Sequence, residues 1–195
     1  MLKEHKINKL NNFINGWYID KNVCKDLIKF FELNKNKVVK GTTIDGFNPK
    51  VKKSNDLGVL FNTSALEIQN YNKELLKCTN EYIKRYPSLK NNLTKWGIVE
   101  SYNIQKYKKN EAYFGWHTER STGKERFGKR LLVFMTYLND VKEGGQTEWF
   151  HQKLKIKPEI GLTVIWPVDW MFLHKGIVAK KEEKFIITGW FSFIE

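Results

Sequence analysis

From Trp96 onward, helical spacing gives way to short runs rich in Val, Ile, Thr, Tyr, Phe and Trp, and this change constrains the fold more than any other feature. The runs lie near 96–107, 112–117, 130–138, 146–150, 152–157, 161–166, 171–178 and 184–193, and they read as strands. Asn139-Asp140, Gly144-Gly145, Pro158 with Gly161, and Pro167 punctuate them. About eight strands in roughly 100 residues, with helices before them, predict an all-β sandwich or barrel braced on one side.

The first half supplies the brace. Ile7, Leu10, Phe13, Ile14, Trp17 and Ile19 end in a short strand. Asp20 then caps a predicted helix to about Leu33, with Val23, Leu27, Phe30 and Phe31 on one face. Ser64-Ala65-Leu66-Glu67 has capping-box spacing. The helix it opens buries Leu66, Tyr71, Leu75, Cys78, Tyr82 and Ile83, runs to about Tyr86 and stops at Pro87. Between the helices, Gly41, Gly46, Pro49 and Gly58 make 34–58 read as loops around one or two short strands. Part of 41–58 suits a lid or a plain surface connection.

At 195 residues and 41% hydrophobic content, one domain with a sizeable core is expected. No apolar run approaches the roughly 18 residues that span a bilayer. The N-terminus is charged and lacks an apolar signal core, so a cytoplasmic protein is expected. Cys24 and Cys78 stand apart without metal or redox spacing and read as free thiols. The net charge of +13 admits an acidic partner such as nucleic acid. Coding bias explains it equally well, since only four of the 34 cationic residues are Arg and the lysines are scattered.

His117 and Glu119 are two apart and face one way if their segment is extended. With His174 arriving from another strand, two imidazoles and one carboxylate make the ligand set of a non-haem iron(II) oxygenase. Alone, the H-x-E pair is a common accident. The order of what surrounds it carries more weight.

Tyr107 to Glu119 reads Y-K-K-N-E-A-Y-F-G-W-H-T-E, and Arg130 to Asn139 reads R-L-L-V-F-M-T-Y-L-N. Gly144 to Phe150 is G-G-Q-T-E-W-F, Lys157 to Gly161 is K-P-E-I-G, and the chain closes from His174 through K-F-I-I-T-G-W-F. In this order the segments resemble the prolyl 4-hydroxylase-like branch of the iron(II)/2-oxoglutarate dioxygenases over 98–193, with Val51-Lys-Lys-Ser54 a further likeness near the lid. The resemblance implies a mainly β double-stranded β-helix (jelly-roll, cupin-like) barrel braced by N-terminal α-helices. Residues 1–195 would be one dioxygenase domain, with 1–95 as helical support and lid and 96–195 as catalytic barrel. It implies His117, Glu119 and His174 as Fe(II) ligands. Lys184 and Tyr137 would hold the distal carboxylate of 2-oxoglutarate with Tyr107 lining that pocket, and Arg130 and Trp190 would border the prime-substrate site. Ascorbate would serve as reductant, and the substrate would be a prolyl residue in a protein or peptide. Two positions depart from the family: Glu119 replaces aspartate, and Phe114 stands where members often carry tyrosine. A retained carboxylate argues against a halogenase.

Two other readings compete. Oxidative demethylation of nucleic acid suits the charge, but residues 175–195 lack the arginine pair that closes such repair enzymes. A barrel that binds a peptide or partner without catalysis would treat Glu119 as the mark of a failed metal site.

Overall fold

The computed structural model describes residues 2–7, 12–123 and 125–194. Leu10, expected on the first apolar segment, lies outside them. The first half contains β1 (Lys3–His5), β2 (Asn15–Tyr18), α1 (Lys21–Leu33), β3 (Val39–Lys40), β4 (Asn55–Val59), α2 (Leu66–Arg85) and α3 (Ser88–Asn91). The second half contains β5 (Trp96–Gly97), β6 (Tyr102–Tyr107), α4 (Glu125–Gly128), β7 (Arg130–Tyr137), β8 (Thr147–Trp149), β9 (Leu154–Ile156), β10 (Leu162–Pro167), β11 (His174–Gly176) and β12 (Lys184–Phe193). None of the described helices is long and apolar enough to cross a membrane.

The architecture is the double-stranded β-helix. A large antiparallel sheet runs β1-β2-β10-β7-β12-β6-β4-β3, with β5 added to β12. A small sheet, β11-β8-β9, faces it. The central strands are buried on both sides, so their sequences are continuous apolar runs rather than alternating ones. The two-residue period still sorts them. Leu132 and Phe134 of β7, Phe185, Ile187 and Phe191 of β12, and Ile165 of β10 pack in the core under α1 and α2. Val133, Met135, Tyr137, Ile186, Val164 and Trp166 fill a second core.

Asp20 caps α1 by accepting from the Asn22 amide at 2.8 Å, as expected. The capping box does not form. The cap residue of α2 is Ala65, which makes no side-chain bond, and Leu66 is left exposed. Ile68 takes its place in the stripe with Tyr71, Leu75, Cys78 and Tyr82. The end of 41–58 belongs to β4, which pairs with β6 inside the large sheet, so the covering segment is confined to the residues before Asn55. The expected strand over 112–117 is instead tied down by single contacts. Phe114 and Gly115 donate to Val51 O, Tyr113 O accepts from Gly176, and two isolated strand-like bridges, Tyr113 with Lys52 and His117 with His174, replace a ladder. His5 sits in β1 with its ring nitrogen 2.6 Å from the Tyr18 hydroxyl.

Candidate active site

His117 and His174 are clasped by their backbones, each amide donating to the other's carbonyl at 2.9 Å. The two rings stand 4.2 Å apart. Each Nδ1 lies against a carbonyl, Gly115 O at 3.0 Å for His117 and Phe172 O at 2.9 Å for His174. A carbonyl only accepts, so the proton of each neutral ring belongs on Nδ1 and both Nε2 lone pairs are free. Those Nε2 atoms converge on Glu119 Oε1, at 3.5 Å and 3.4 Å. Potential ligand atoms of the three residues lie within 4.8 Å of one another, close enough to hold one metal ion. Tyr113 stacks flat on His117, with centroids 3.5 Å apart, and fixes the plane of that ring.

Burial, then the neighbouring His174, pushes the His117 pKa down. Burial alone would raise that of Glu119, but hydrogen bonding and attraction from the two histidines outweigh it and hold the carboxyl well below its usual range. A neutral imidazole beside an ionised carboxylate is the protonation state a divalent cation needs.

The second oxygen of Glu119 is also held. Trp190 Nε1 donates to Oε2 at 2.9 Å. Arg130 Nη1 donates to the Glu119 carbonyl at 3.1 Å and lies 3.7 Å from Oε2. Glu100 grips the other side of that guanidinium at 2.8 Å through both of its oxygens. The guanidinium lies 3.4 Å over the Trp190 ring. A bulge makes this possible. The register of β7 on β12 slips where Phe191 faces Leu132 but Ser192 faces Arg130, which leaves Leu131 unpaired. Leu131 and Leu132 both go to the helix-side core, and Arg130 is turned to the cavity instead. Arg130 and Trp190, expected to border the prime-substrate site, do line the cavity and are also engaged with Glu119.

The cavity measures about 780 Å³ and takes in the triad, Lys184, Tyr107, Thr147 and part of the 42–48 segment. Lys184 starts β12 opposite Tyr107 and is 3% exposed. Its ammonium donates to Gly145 O at 3.0 Å and sits 4.8 Å from the Tyr107 ring centre. The Gly144-Gly145 turn that offers this carbonyl requires glycine: φ is +78° at Gly144, where a Cβ would stand 2.1 Å from Val178 O. Among the described residues, no carboxylate forms an ion pair with Lys184, and burial pushes its pKa down to about 8. A buried cation without a counter-ion is costly. A ligand carboxylate is the group that would relieve it, so the residues present fit 2-oxoglutarate. Tyr137, expected to bond that carboxylate, does not line the cavity. Its hydroxyl donates to Thr147 Oγ1 at 2.7 Å, and Thr147 is the hydroxyl that lines the cavity.

Sequence reasoning passed over Thr147, Tyr113 and a buried pair, Lys52 with Asp56 at 2.7 Å. Tyr113 is one helical turn's count before His117, a spacing with no meaning in extended chain. Thr147, Tyr113 and Lys52 all lie inside motifs that resemble the family, in G-G-Q-T, 107–119 and 51–54, but nothing in those motifs alone assigns them a partner.

Fold and donor set are those of a non-haem iron oxygenase. Residues 102–192 match the model of the 2OG-Fe(II) oxygenase superfamily. The enzyme class is therefore a 2-oxoglutarate-dependent dioxygenase, with Fe(II) as metal and 2-oxoglutarate as co-substrate. No curated protein matches the sequence at a significant level. Among solved structures, the chain resembles a viral collagen prolyl hydroxylase of Paramecium bursaria Chlorella virus-1 in a 2-oxoglutarate complex. That match has TM-score 0.70 and 22% identity, covering 94% of this chain and 98% of the other. It also resembles a Pseudomonas putida prolyl-4-hydroxylase, with TM-score 0.71 and 12% identity, covering 95% of each chain. A third is a Trichoplax adhaerens prolyl hydroxylase in complex with a hypoxia inducible factor oxygen degradation domain peptide fragment. Its TM-score is 0.70 and identity 15%, covering 93% of this chain and 84% of that one.

Proposed function

We propose that this protein hydroxylates prolyl residues in a protein or peptide, with His117, Glu119 and His174 as its metal ligands. The observation that carries the reading is the pairing within one cavity of that convergent triad and the buried, unpaired ammonium of Lys184. When bound, Fe(II) and 2-oxoglutarate supply oxygen activation, in which oxidative decarboxylation to succinate and carbon dioxide accompanies hydroxylation of a C–H bond. The chain's own residues do the rest. Lys184 neutralises the distal carboxylate and Thr147, oriented by Tyr137, donates to it. The Tyr107 ring walls the same end and keeps water out. The triad presents two Nε2 atoms and one carboxylate oxygen, with Nδ1–H bonds that keep both imidazoles in one tautomer.

Choice of a prolyl substrate rests on the three neighbours above, all prolyl hydroxylases, one of them with a bound peptide. The segment containing Thr42, Ile44 and Phe47 lines the cavity with Ile44 and Phe47 exposed, which suits a lid over a peptide substrate. Residues 1–195 work as one catalytic unit, with α1 and α2 packed on the large sheet as its brace. Two buried thiols, their pKa values pushed up to about 12 by burial, are inert and suit a reducing cytoplasm, and ascorbate serves as reductant. Aerobic incubation with Fe(II), 2-oxoglutarate and proline-containing peptides should add one oxygen to a prolyl residue, read by tandem mass spectrometry. Oxygen placed on another residue type would redirect the substrate assignment.

A further inference from the structure

We propose that Trp190 and Arg130 are positioning residues for Glu119: they fix its Oε2 so that Oε1 alone faces the two imidazoles. The inference rests on the reading of His117, Glu119 and His174 as metal ligands. Glutamate has one more methylene, and one more rotatable bond, than the family's aspartate. A free glutamate could turn either oxygen, or both, toward an ion. Here the choice is made by the protein. Oε2 accepts the Trp190 indole N–H at 2.9 Å and lies 3.7 Å from Arg130, while Oε1 lies 3.5 Å and 3.4 Å from the histidine Nε2 atoms. Arg130 is in turn immobilised by Glu100 through two bonds of 2.8 Å and by its 3.4 Å stacking on Trp190. The bulge at Leu131 aims it there. The barrel is therefore shaped to a glutamate. An aspartate at 119 would draw its carboxylate back from the indole and lose that bond.

The test uses Co(II), a divalent ion stable in air, titrated into purified full-length protein and followed by calorimetry and by its d–d absorption. Trp190→Phe keeps a ring under Arg130 but removes the N–H. It should weaken Co(II) binding about 10- to 100-fold, as loss of such outer contacts typically does, and alter the d–d bands. Glu119→Asp should also weaken it. In that background Trp190→Phe should change affinity less than about twofold, because the shared contact is already gone. Unchanged affinity and bands in Trp190→Phe, or equal losses from it in both backgrounds, would overturn the proposal. His174→Ala separates the two levels: if it binds Co(II) like the wild type, the ligand reading itself fails. Should Trp190→Phe not fold by circular dichroism, Arg130→Lys carries the same comparison. It keeps the charge but gives up the planar fork shared between Glu100 and Glu119.

Discussion

Lys184 shows how one residue ties stability to function. Its pKa of about 8 lies below the ordinary 10.5 because burial disfavours the charge. Below pH 8 the unliganded protein therefore carries a buried cation at a cost, and that cost fades as pH rises from 8 toward 10.5. Stability relative to Lys184→Met should rise across this window by at most about 3 kcal/mol, read from urea midpoints. A difference that stays flat would mean the ammonium is not desolvated. Binding of 2-oxoglutarate should run the other way, since it needs the charged form. Its Kd should be level below pH 8 and weaken above it. Lys184→Met should lose about 1.5–3 kcal/mol of affinity, roughly 10- to 150-fold, by calorimetry with Mn(II) present. Undiminished affinity in that variant would remove Lys184 from the co-substrate site.

At the scale of elements, β12 is the organising strand. Its inward residues Lys184, Ile186, Thr188 and Trp190 line the cavity, while Phe185, Ile187 and Phe191 hold the helices. Between them, Gly189 makes room for aromatic side chains: a Cβ there would lie 2.4 Å from Tyr102 Cβ and 2.6 Å from Phe134 Cζ. Gly189→Ala should cost about 1–3 kcal/mol by overpacking, and an unchanged denaturation midpoint would contradict that packing. The strand after the lid has its own anchor. Asp56 of β4 accepts from Lys52 and Ser54 at 2.7 Å each, all three side chains buried. Lys52→Met should cost about 3–5 kcal/mol, because it strands a buried carboxylate. A loss under 1 kcal/mol would show that water reaches Asp56. Much of this level was legible in sequence. The long apolar runs of β7 and β12, the Asp20 cap and the stop at Pro87 are local signals, and the structure follows them. What failed was non-local. Whether 112–117 makes a ladder depends on Val51 and Gly176, and no periodicity records that. The bulge at Leu131, which turns Arg130 inward, is equally silent. Tyr137 shares the phase of Val133 and Met135, but its hydroxyl is spent on Thr147 of the facing sheet, and Thr147 rather than Tyr137 lines the cavity.

The whole molecule brings the two halves of the site together from opposite sheets. The large sheet supplies Lys184, Tyr107 and Trp190, and the small sheet His174 and Thr147. Ligands that bridge these sheets should therefore stabilise the entire barrel. With Mn(II) bound and 2-oxoglutarate at 100 times its Kd, the gain is about 2.7 kcal/mol, or roughly 5–10 °C in Tm for a chain of this size. Absence of any shift would favour a barrel that does not bind the co-substrate. The triad was readable because motif order over the second half of the chain supported it. Its finer geometry was not, because Glu119 is held by residues from β7 and β12 that the sequence gives no reason to bring to it. The most direct measurement is succinate formation from 2-oxoglutarate under air with Fe(II), comparing wild type with His174→Ala. Steady succinate release by the wild type, abolished in the variant, is the expected result; equal release by both would contradict the assignment of the metal site.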